Sequence, residues 1–395
     1  MNVPKLRFKG FNNEWEQNTL NNVAELINGR AYSKEEFQTE GKYPVLRVGN
    51  FFTNDGWYYS DLELEQNKYA DNGDLLYAWS ASFGPKIWNG EKVIYHYHIW
   101  KVLMNEYKIS KKFLYSWFIY DANKLLSQKN GSTMVHITKN NMENRNIYLP
   151  QLNEQDKIGE FFNKIELKIQ FQQKKIDLLQ AKRRGYLQKI FNQEVKFKDS
   201  NGQYYPKWKI AKLSNYAKKI VAKNKDIAIS NVITNSAKNG LIAQKDFFNK
   251  EIANKENIDG YYIISQGDFV YNPRISADAP YGPINIYKEN ELGIVSPLYM
   301  CFSIENIQKE FMYYYFKSTL WYKYIYMHGD SGARHDRVSI KDSTFLEMPI
   351  SIPCKEEQLQ IANFFSKLEK KIAFEEKKLK QLLAQKKSLM QQMFI

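Results

Sequence analysis

Two stretches decide how this chain is built: PQLNEQDKIGEFFNKIE, from Pro150 to Glu166, and PCKEEQLQIANFFSKLE, from Pro353 to Glu369. Pro150, Glu154, Gln155, Phe161 and Phe162 in the first are answered by Pro353, Glu357, Gln358, Phe364 and Phe365 in the second, 203 residues later. From each stretch onward, apolar residues recur at alternating steps of four and three. The first series is Ile158, Phe162, Ile165, Ile169, Ile176, Leu179, Tyr186 and Ile190; the second is Ile361, Phe365, Leu368, Ile372, Leu379, Leu382, Leu389 and Met393. Both are broken at the same two steps, by Gln172 and Arg183 in one and by Glu375 and Lys386 in the other. An apolar period of this kind is the seam of a coiled coil. The spacing therefore predicts two long helices, each opening after a proline and polar residues suited to a helix start.

Working outward, the rest of the chain also says itself twice. WEQNTL at Trp15 is answered by WKIAKL at Trp208, offset 193; GDLLY (Gly73 to Tyr77) by GDFVY (Gly267 to Tyr271), offset 194; KKFLY (Lys111 to Tyr115) by KEFMY (Lys309 to Tyr313), offset 198. An offset that grows steadily is what small loop insertions into a duplicated gene produce. Between the helices the sequence is rich in Tyr, Trp, Phe, Ile and Val, punctuated by turn signals such as Asn89-Gly90 and Asn239-Gly240. Alternation from Val93 to Ile99 suits strand, and helical patches are expected around Phe113 to Leu126 and Phe311 to Tyr326.

The fold class predicted is α+β: two similar globular domains separated by two long antiparallel helices in an intrachain coiled coil, a pseudo-two-fold internal duplication. The expected boundaries are 1–151 and 194–353 for the globular heads, with 152–193 and 354–395 for the helices. For the two seams to pack, the second helix must run back along the first, so the heads are expected at the ends of a stiff two-helix spacer.

The 395 residues carry 57 Lys and Arg against 43 Asp and Glu, a formal charge of +14. An anionic polymer is the partner this suggests. The helices carry +8 of the excess and the heads only +6, so affinity in the heads must come from local clusters. Mean hydropathy is −0.59, and no apolar run approaches the roughly 18 residues of a membrane span. The opening MNVPKLRFKGF has no apolar signal core, and the two cysteines, Cys301 and Cys354, make no disulfide framework or Cys-x-x-Cys pair. A cytoplasmic protein with no membrane partner is expected.

A basic object with local two-fold symmetry suits duplex DNA, whose half-sites present equivalent grooves. Candidate contacts fall at matched places in the heads. After the GD motifs come Trp79, Ser80, Ser82 and Lys86 in the first, and Asn272, Arg274 and Ser276 in the second. Near the end of each head a glycine is followed by polar hydrogen-bonders: Ser132, Thr133, His136 and Lys139 in GSTMVHITK, and Arg334, His335, Arg337 and Lys341 in GARHDRVSIK. Such side chains reach phosphates or base edges, and arginine grips guanine with two bonds. Signals for catalysis are thin. His96 and His98 would share a strand face, but no Cys or carboxylate pattern completes a metal site. DAPY (Asp278 to Tyr281) lies one residue from an amino-methyltransferase motif, yet no glycine-rich cofactor loop accompanies it. No cofactor and no metal are expected.

The Trp-led opening, the GD strand, the proline followed by Glu-Gln, the Phe-Phe pair and the heptad helix, each present twice, resemble the DNA specificity subunit of type I restriction-modification systems. The resemblance covers nearly the whole chain. It implies that the heads are target-recognition domains, each reading one half of a bipartite, asymmetric site in double-stranded DNA. It also implies a non-catalytic subunit that recruits two copies of an adenine-N6 methyltransferase and an ATP-dependent restriction subunit, docking the methyltransferase through residues 150–191 and 353–394. Two other readings stand beside it: a self-sufficient DNA methyltransferase or nuclease, and a coiled-coil interaction scaffold.

Overall fold

A computed structural model describes residues 2–52, 54–80, 83–127, 137–247, 258–330 and 336–395. The chain forms two compact units, 1–174 with 376–395, and 175–375. Each contains one head, the start of one long helix and the end of the other.

The heads repeat one topology. In the first, Glu16–Thr19 pairs antiparallel with Asn146–Leu149, bringing the entry and exit of the head together. A four-stranded sheet follows, in the order Ala24–Asn28, Ile99–Met104, Leu75–Ala78, Gly84–Ile87. In the second, Lys209–Lys212 pairs with Pro349–Ile352, and the sheet order is Ala217–Lys219, Met300–Ile304, Phe269–Tyr271, Ile284–Ile286. Registers agree as well: Tyr77 faces Trp100 as Tyr271 faces Met300. The GD motifs open the central strand of each sheet. Gly73 and Gly267 hold φ of +92° and +89°, where a side chain is strained, and each following aspartate closes the turn by accepting the N–H of the residue three before it, Asp71 or Ser265, at 2.7 Å.

Beyond this shared frame the heads differ. The first adds a sheet of Tyr59–Ser60, Tyr43–Leu46, Val93–Tyr95 and Tyr69–Ala70, whereas the second has two two-stranded sheets, the hairpin Ile233–Ser236 with Gly240–Ala243, and Tyr262–Ile264 with the sequence-distant Gly293–Val295. The first helical patch is one helix, Lys111–Ser127; its counterpart is split into Lys309–Lys317 and Tyr322–His328.

The long helices span Leu152–Phe191 and Lys355–Met393. The Glu-Gln pair after each proline explains why these residues recur. The Gln155 amide donates to the carbonyls of Pro150 and Lys108, and its oxygen accepts from Ser110 N–H at 2.9 Å. Gln358 does the same with Pro353 O and Gln308 N–H. Each buried glutamine thus fastens the start of a long helix to the start of a head helix, satisfying groups that burial would otherwise penalise by about 1–3 kcal/mol each. Glu154, fully buried, takes both oxygens to Arg7 at 2.7 Å. Glu357 accepts from the Trp208 indole at 3.0 Å instead, and burial pushes its carboxyl upward. At Gly159, where an added Cβ would stand 2.6 Å from Lys112 Cβ, the helix passes too close to Lys111–Ser127 for a side chain.

Within each unit the two helical segments run antiparallel. In the first, Phe162 stacks on Phe394 while Glu166, further along, meets Lys386. In the second, Phe365 stacks on Phe191 while Glu369 meets Arg183. These ion pairs are the same pair by the repeat offset, and they account for Arg183 and Lys386 in the seam. Glu375, almost fully buried, is held by Lys175 at 2.7 Å.

The helix ends complete the cores. Met390, Met393 and Phe394 are buried in the first head's core with Trp15, Phe113, Ile158 and Phe162. Leu187, Ile190 and Phe191, their equivalents by the repeat, are buried in the second head's core with Phe311, Ile361 and Phe365. Among the described residues no helix is long and apolar enough to cross a membrane.

Phe394→Ala and Phe191→Ala should each cost about 3–5 kcal/mol, the range for emptying a phenylalanine site in a core. The two residues lie in different cores, so denaturant titration of the double variant should give the sum within about 0.5 kcal/mol. A clear shortfall would mean that the two cores are not independent.

Candidate nucleic-acid interface

In the second head the GD strand runs out through Asn272 to Arg274 and Ser276. The segment from Asp336 to Ser339 returns beside it: Ile275 N–H donates to Asp336 O and Val338 N–H to Pro273 O, both at 2.9 Å, with Arg274 directly opposite Arg337. Candidates drawn from two distant stretches are therefore neighbours. They line a cleft of about 750 Å³ together with Asn235, Ser236 and Lys238 of the Ile233–Ala243 hairpin and Ser296, Leu298 and Tyr299 of the turn 296–299.

The cleft has a rigid polar floor. The Asn285 amide donates to Asn235 Oδ1 at 2.6 Å, the Asn235 amide to the carbonyls of Val270 and Pro283, and the Asn272 amide to Asn235 O at 3.1 Å. Asn235 and Asn285 are buried, so this chain fixes which way each amide faces. Behind it the Lys317 ammonium donates to Asn285 Oδ1. Burial lowers the Lys317 pKa to about 8, with nearby Arg183 and Lys288 adding to the effect and Glu369 opposing it. On the cleft wall Lys238 pairs with Asp278 at 3.5 Å and Arg337 with Asp336 at 3.8 Å. Arg274 is exposed, and among the described residues no carboxylate lies within ion-pair distance of it. Amides, hydroxyls and guanidinium groups are side chains able to hydrogen-bond base edges and phosphates.

The remaining candidates are placed less uniformly. Trp79 is half-buried, stacked on Trp100 at 5.8 Å, with its indole N–H on Tyr97 O at 2.8 Å. Ser80 is buried. Lys86 is half-buried and donates to Phe51 O at 2.8 Å, and burial lowers its pKa. Lys139 starts a short helix and pairs with Glu143 at 3.5 Å, and Lys341 precedes the helix Asp342–Leu346 and is not among the residues that line the cleft. Ser82, Ser132, Thr133, His136, Arg334 and His335 lie outside the described residues. On the helices, Ile158, Phe162, Ile169, Ile176, Leu179, Ile361, Phe365 and Ile372 are buried, and Ile165, Leu368, Leu379 and Leu382 are half-buried.

The stretch Val93 to Ile99 is not one strand. It breaks at His96–His98 into a tight turn closed by Ile99 N–H on His96 O at 2.9 Å, so the two histidines sit side by side, ring centres 4.9 Å apart. Among the described residues no group of three or more His, Cys, Asp or Glu could hold a metal. Composition gave no sign of Asn235, Ser236 and Ser296; the fold places them, by bringing the Ile233–Ala243 hairpin and the turn after Val295 beside Asn272.

Comparison with known proteins shows the family. The chain matches the family described as type I restriction modification DNA specificity domain twice, over residues 12–181 and 188–384. It is 24% identical over 400 residues to the type I restriction enzyme MjaVIII specificity subunit of Methanocaldococcus jannaschii, covering 95% of this chain and 91% of that one. It is also 24% identical over 148 residues to the EcoBI specificity subunit of Escherichia coli, 37% of this chain and 31% of the other. The crystal structure of a type I system S subunit from M. genitalium has the same fold, with a TM-score of 0.55 at 14% identity over 100% of this chain and 99% of that one.

The buried Lys317 makes a pH prediction. Its folded pKa is depressed to about 8 from an ordinary 10.5, so between those values the unfolded chain binds more protons and stability rises with pH, by at most about 1.4 kcal/mol per pH unit. Below pH 8 both states are protonated and the burial cost is fully present. The stability of the wild type relative to Lys317→Met should therefore climb from pH 8 to pH 10; a flat difference would mean the ammonium is well solvated.

Proposed function

Because the chain belongs to the type I restriction modification DNA specificity family, we propose that it reads a bipartite, asymmetric site in duplex DNA, one half with each head, while its helices hold the catalytic subunits. DNA recognition within a type I system is its role, and methyltransferase and restriction subunits are its partners. In finer terms, the partners are two copies of an adenine-N6 methyltransferase and an ATP-dependent restriction subunit, and the chain supplies no catalytic group. Residues 1–151 and 194–353 act as recognition domains, 152–193 and 354–395 as spacer helices, and the complex works in the cytoplasm.

One observation carries this reading: the heads share strand order and register but present different side chains at equivalent points of that frame. A common frame suits the repeated geometry of a duplex, and different walls suit different base sequences. In the second head the wall is Asn272, Arg274, Ser276 and Arg337 over the asparagine floor. The +8 on the helices adds sequence-independent attraction to phosphate.

The test is to express the chain with its methyltransferase subunit and map methylated adenines genome-wide. A two-part motif is expected, and Arg274→Ala with Arg337→Ala should relax one part only, each lost base contact removing about 1–3 kcal/mol of discrimination. A single uninterrupted motif, or equal relaxation of both parts, would sink the reading. Separately, the pure chain with S-adenosylmethionine, Mg2+ and DNA should neither methylate nor cut; either activity would overturn the non-catalytic assignment.

A further inference from the structure

The duplication maps the cleft of the second head onto a definite place in the first. Val45 pairs in parallel with Ile94, and Val232 in parallel with Ile294. Ile94 in turn pairs antiparallel with Tyr69, and Ile294 with Ile263. The following turns match, Ile99 N–H bonding His96 O as Tyr299 N–H bonds Ser296 O. The return segments match too: Ile137 N–H reaches Trp79 O as Val338 N–H reaches Pro273 O. Arg47 therefore stands where Thr234 stands, His96 where Ser296 stands, His98 where Leu298 stands, and Trp79 where Pro273 stands. All four of those second-head residues line the cleft.

We infer that the first head reads its half-site through this equivalent wall, with Arg47, His96, Tyr97 and His98 as the contacting groups on a Trp79 floor. The inference rests on the two-headed reading above and names the residues that carry it out in the first head. The Arg47 guanidinium lies 4.2 Å over the Tyr58 ring and is steadied by Asn50 Oδ1 and Gly56 O, each at 3.3 Å. Asn50 is itself buried and tied to the carbonyls of Asn54 and Gly56, so the arginine is oriented before DNA arrives. The turn is an aromatic raft: ring centres of Tyr97 and His98 lie 3.9 Å apart, His96 and Tyr97 4.5 Å, Trp79 and His98 5.0 Å. Tyr97 is exposed. Burial, aided by His98 and Arg47, lowers the His96 pKa to about 4, leaving a neutral imidazole that both donates and accepts. A fixed arginine fork beside such rings is suited to base edges.

The experiment uses the complex with the methyltransferase subunit and oligoduplexes altered in one half of the mapped motif at a time. Arg47→Ala should reduce discrimination roughly fivefold to a hundredfold at one or two base pairs, in the half-site that Arg274→Ala leaves untouched. Arg47→Lys keeps the charge without the fork, and should restore affinity while leaving base preference relaxed. His98→Ala should relax the same half-site. The inference is overturned if Arg47→Ala keeps full discrimination, if it weakens both half-sites equally, or if Arg47→Lys restores base preference along with affinity. Absence of any two-part motif with the wild-type chain would overturn the two-headed reading and this inference with it. A two-part motif unaffected by Arg47→Ala would overturn this inference alone.

Discussion

Neither head can close its core with its own residues. The first needs Met390, Met393 and Phe394 from the last turns of the second long helix, and Phe394 alone meets Phe113, Tyr120 and Phe162. The second needs Leu187, Ile190 and Phe191 from the last turns of the first. Burying side chains of this size contributes about 1.5–3 kcal/mol apiece, a sum comparable to the net stability of a small domain. Antiparallel pairing of the helical segments is therefore a condition for folding the heads, and the matched ion pairs Glu166 with Lys386 and Arg183 with Glu369 disfavour slippage along the seam.

That constraint explains which parts of the duplication stayed readable in the sequence. Gln155 and Gln358 recur because they satisfy three and two backbone groups, respectively, at a buried junction, and a replacement would strand them. The GD motifs recur because the turn needs φ above zero and a carboxylate to close it. The seam recurs because both cores depend on it. Each of these is a local requirement with a narrow set of solutions, so α+β heads and two antiparallel helices could be read from residue types and spacing alone.

The recognition surfaces were legible only in part, for the opposite reason. Arg274 and Arg337 could be singled out by type, but their adjacency comes from a backbone pairing between stretches more than sixty residues apart. The polar breaks Arg183 and Lys386 are explained by their partners Glu369 and Glu166 on the other helical segment, which spacing alone does not show. His96 to His98 followed a strand-like alternation, yet the chain turns there; alternation reports burial on one face, and a tight turn between two buried strands produces the same pattern. For Lys86, only the fold shows that one of its three N–H groups is held by the Phe51 carbonyl.

These two behaviours fit one division of labour. Positions that hold the frame answer to backbone hydrogen bonds and core volume, which are the same in both heads, so they resist change. On the proposed reading, positions on the cleft wall answer to whatever sequence is read: at one equivalent point stand Thr234 and Arg47, at another Ser296 and His96. A wall of amides and hydroxyls over buried asparagines and a wall of rings around an oriented arginine offer different donors and acceptors, as the proposed reading of two different half-sites requires. Net charge distinguishes neither, since the heads carry only +6 between them. Selectivity, on that proposal, rests on a few side chains and on how firmly each is held, and the buried amides behind Arg47 and Asn272 supply the hold.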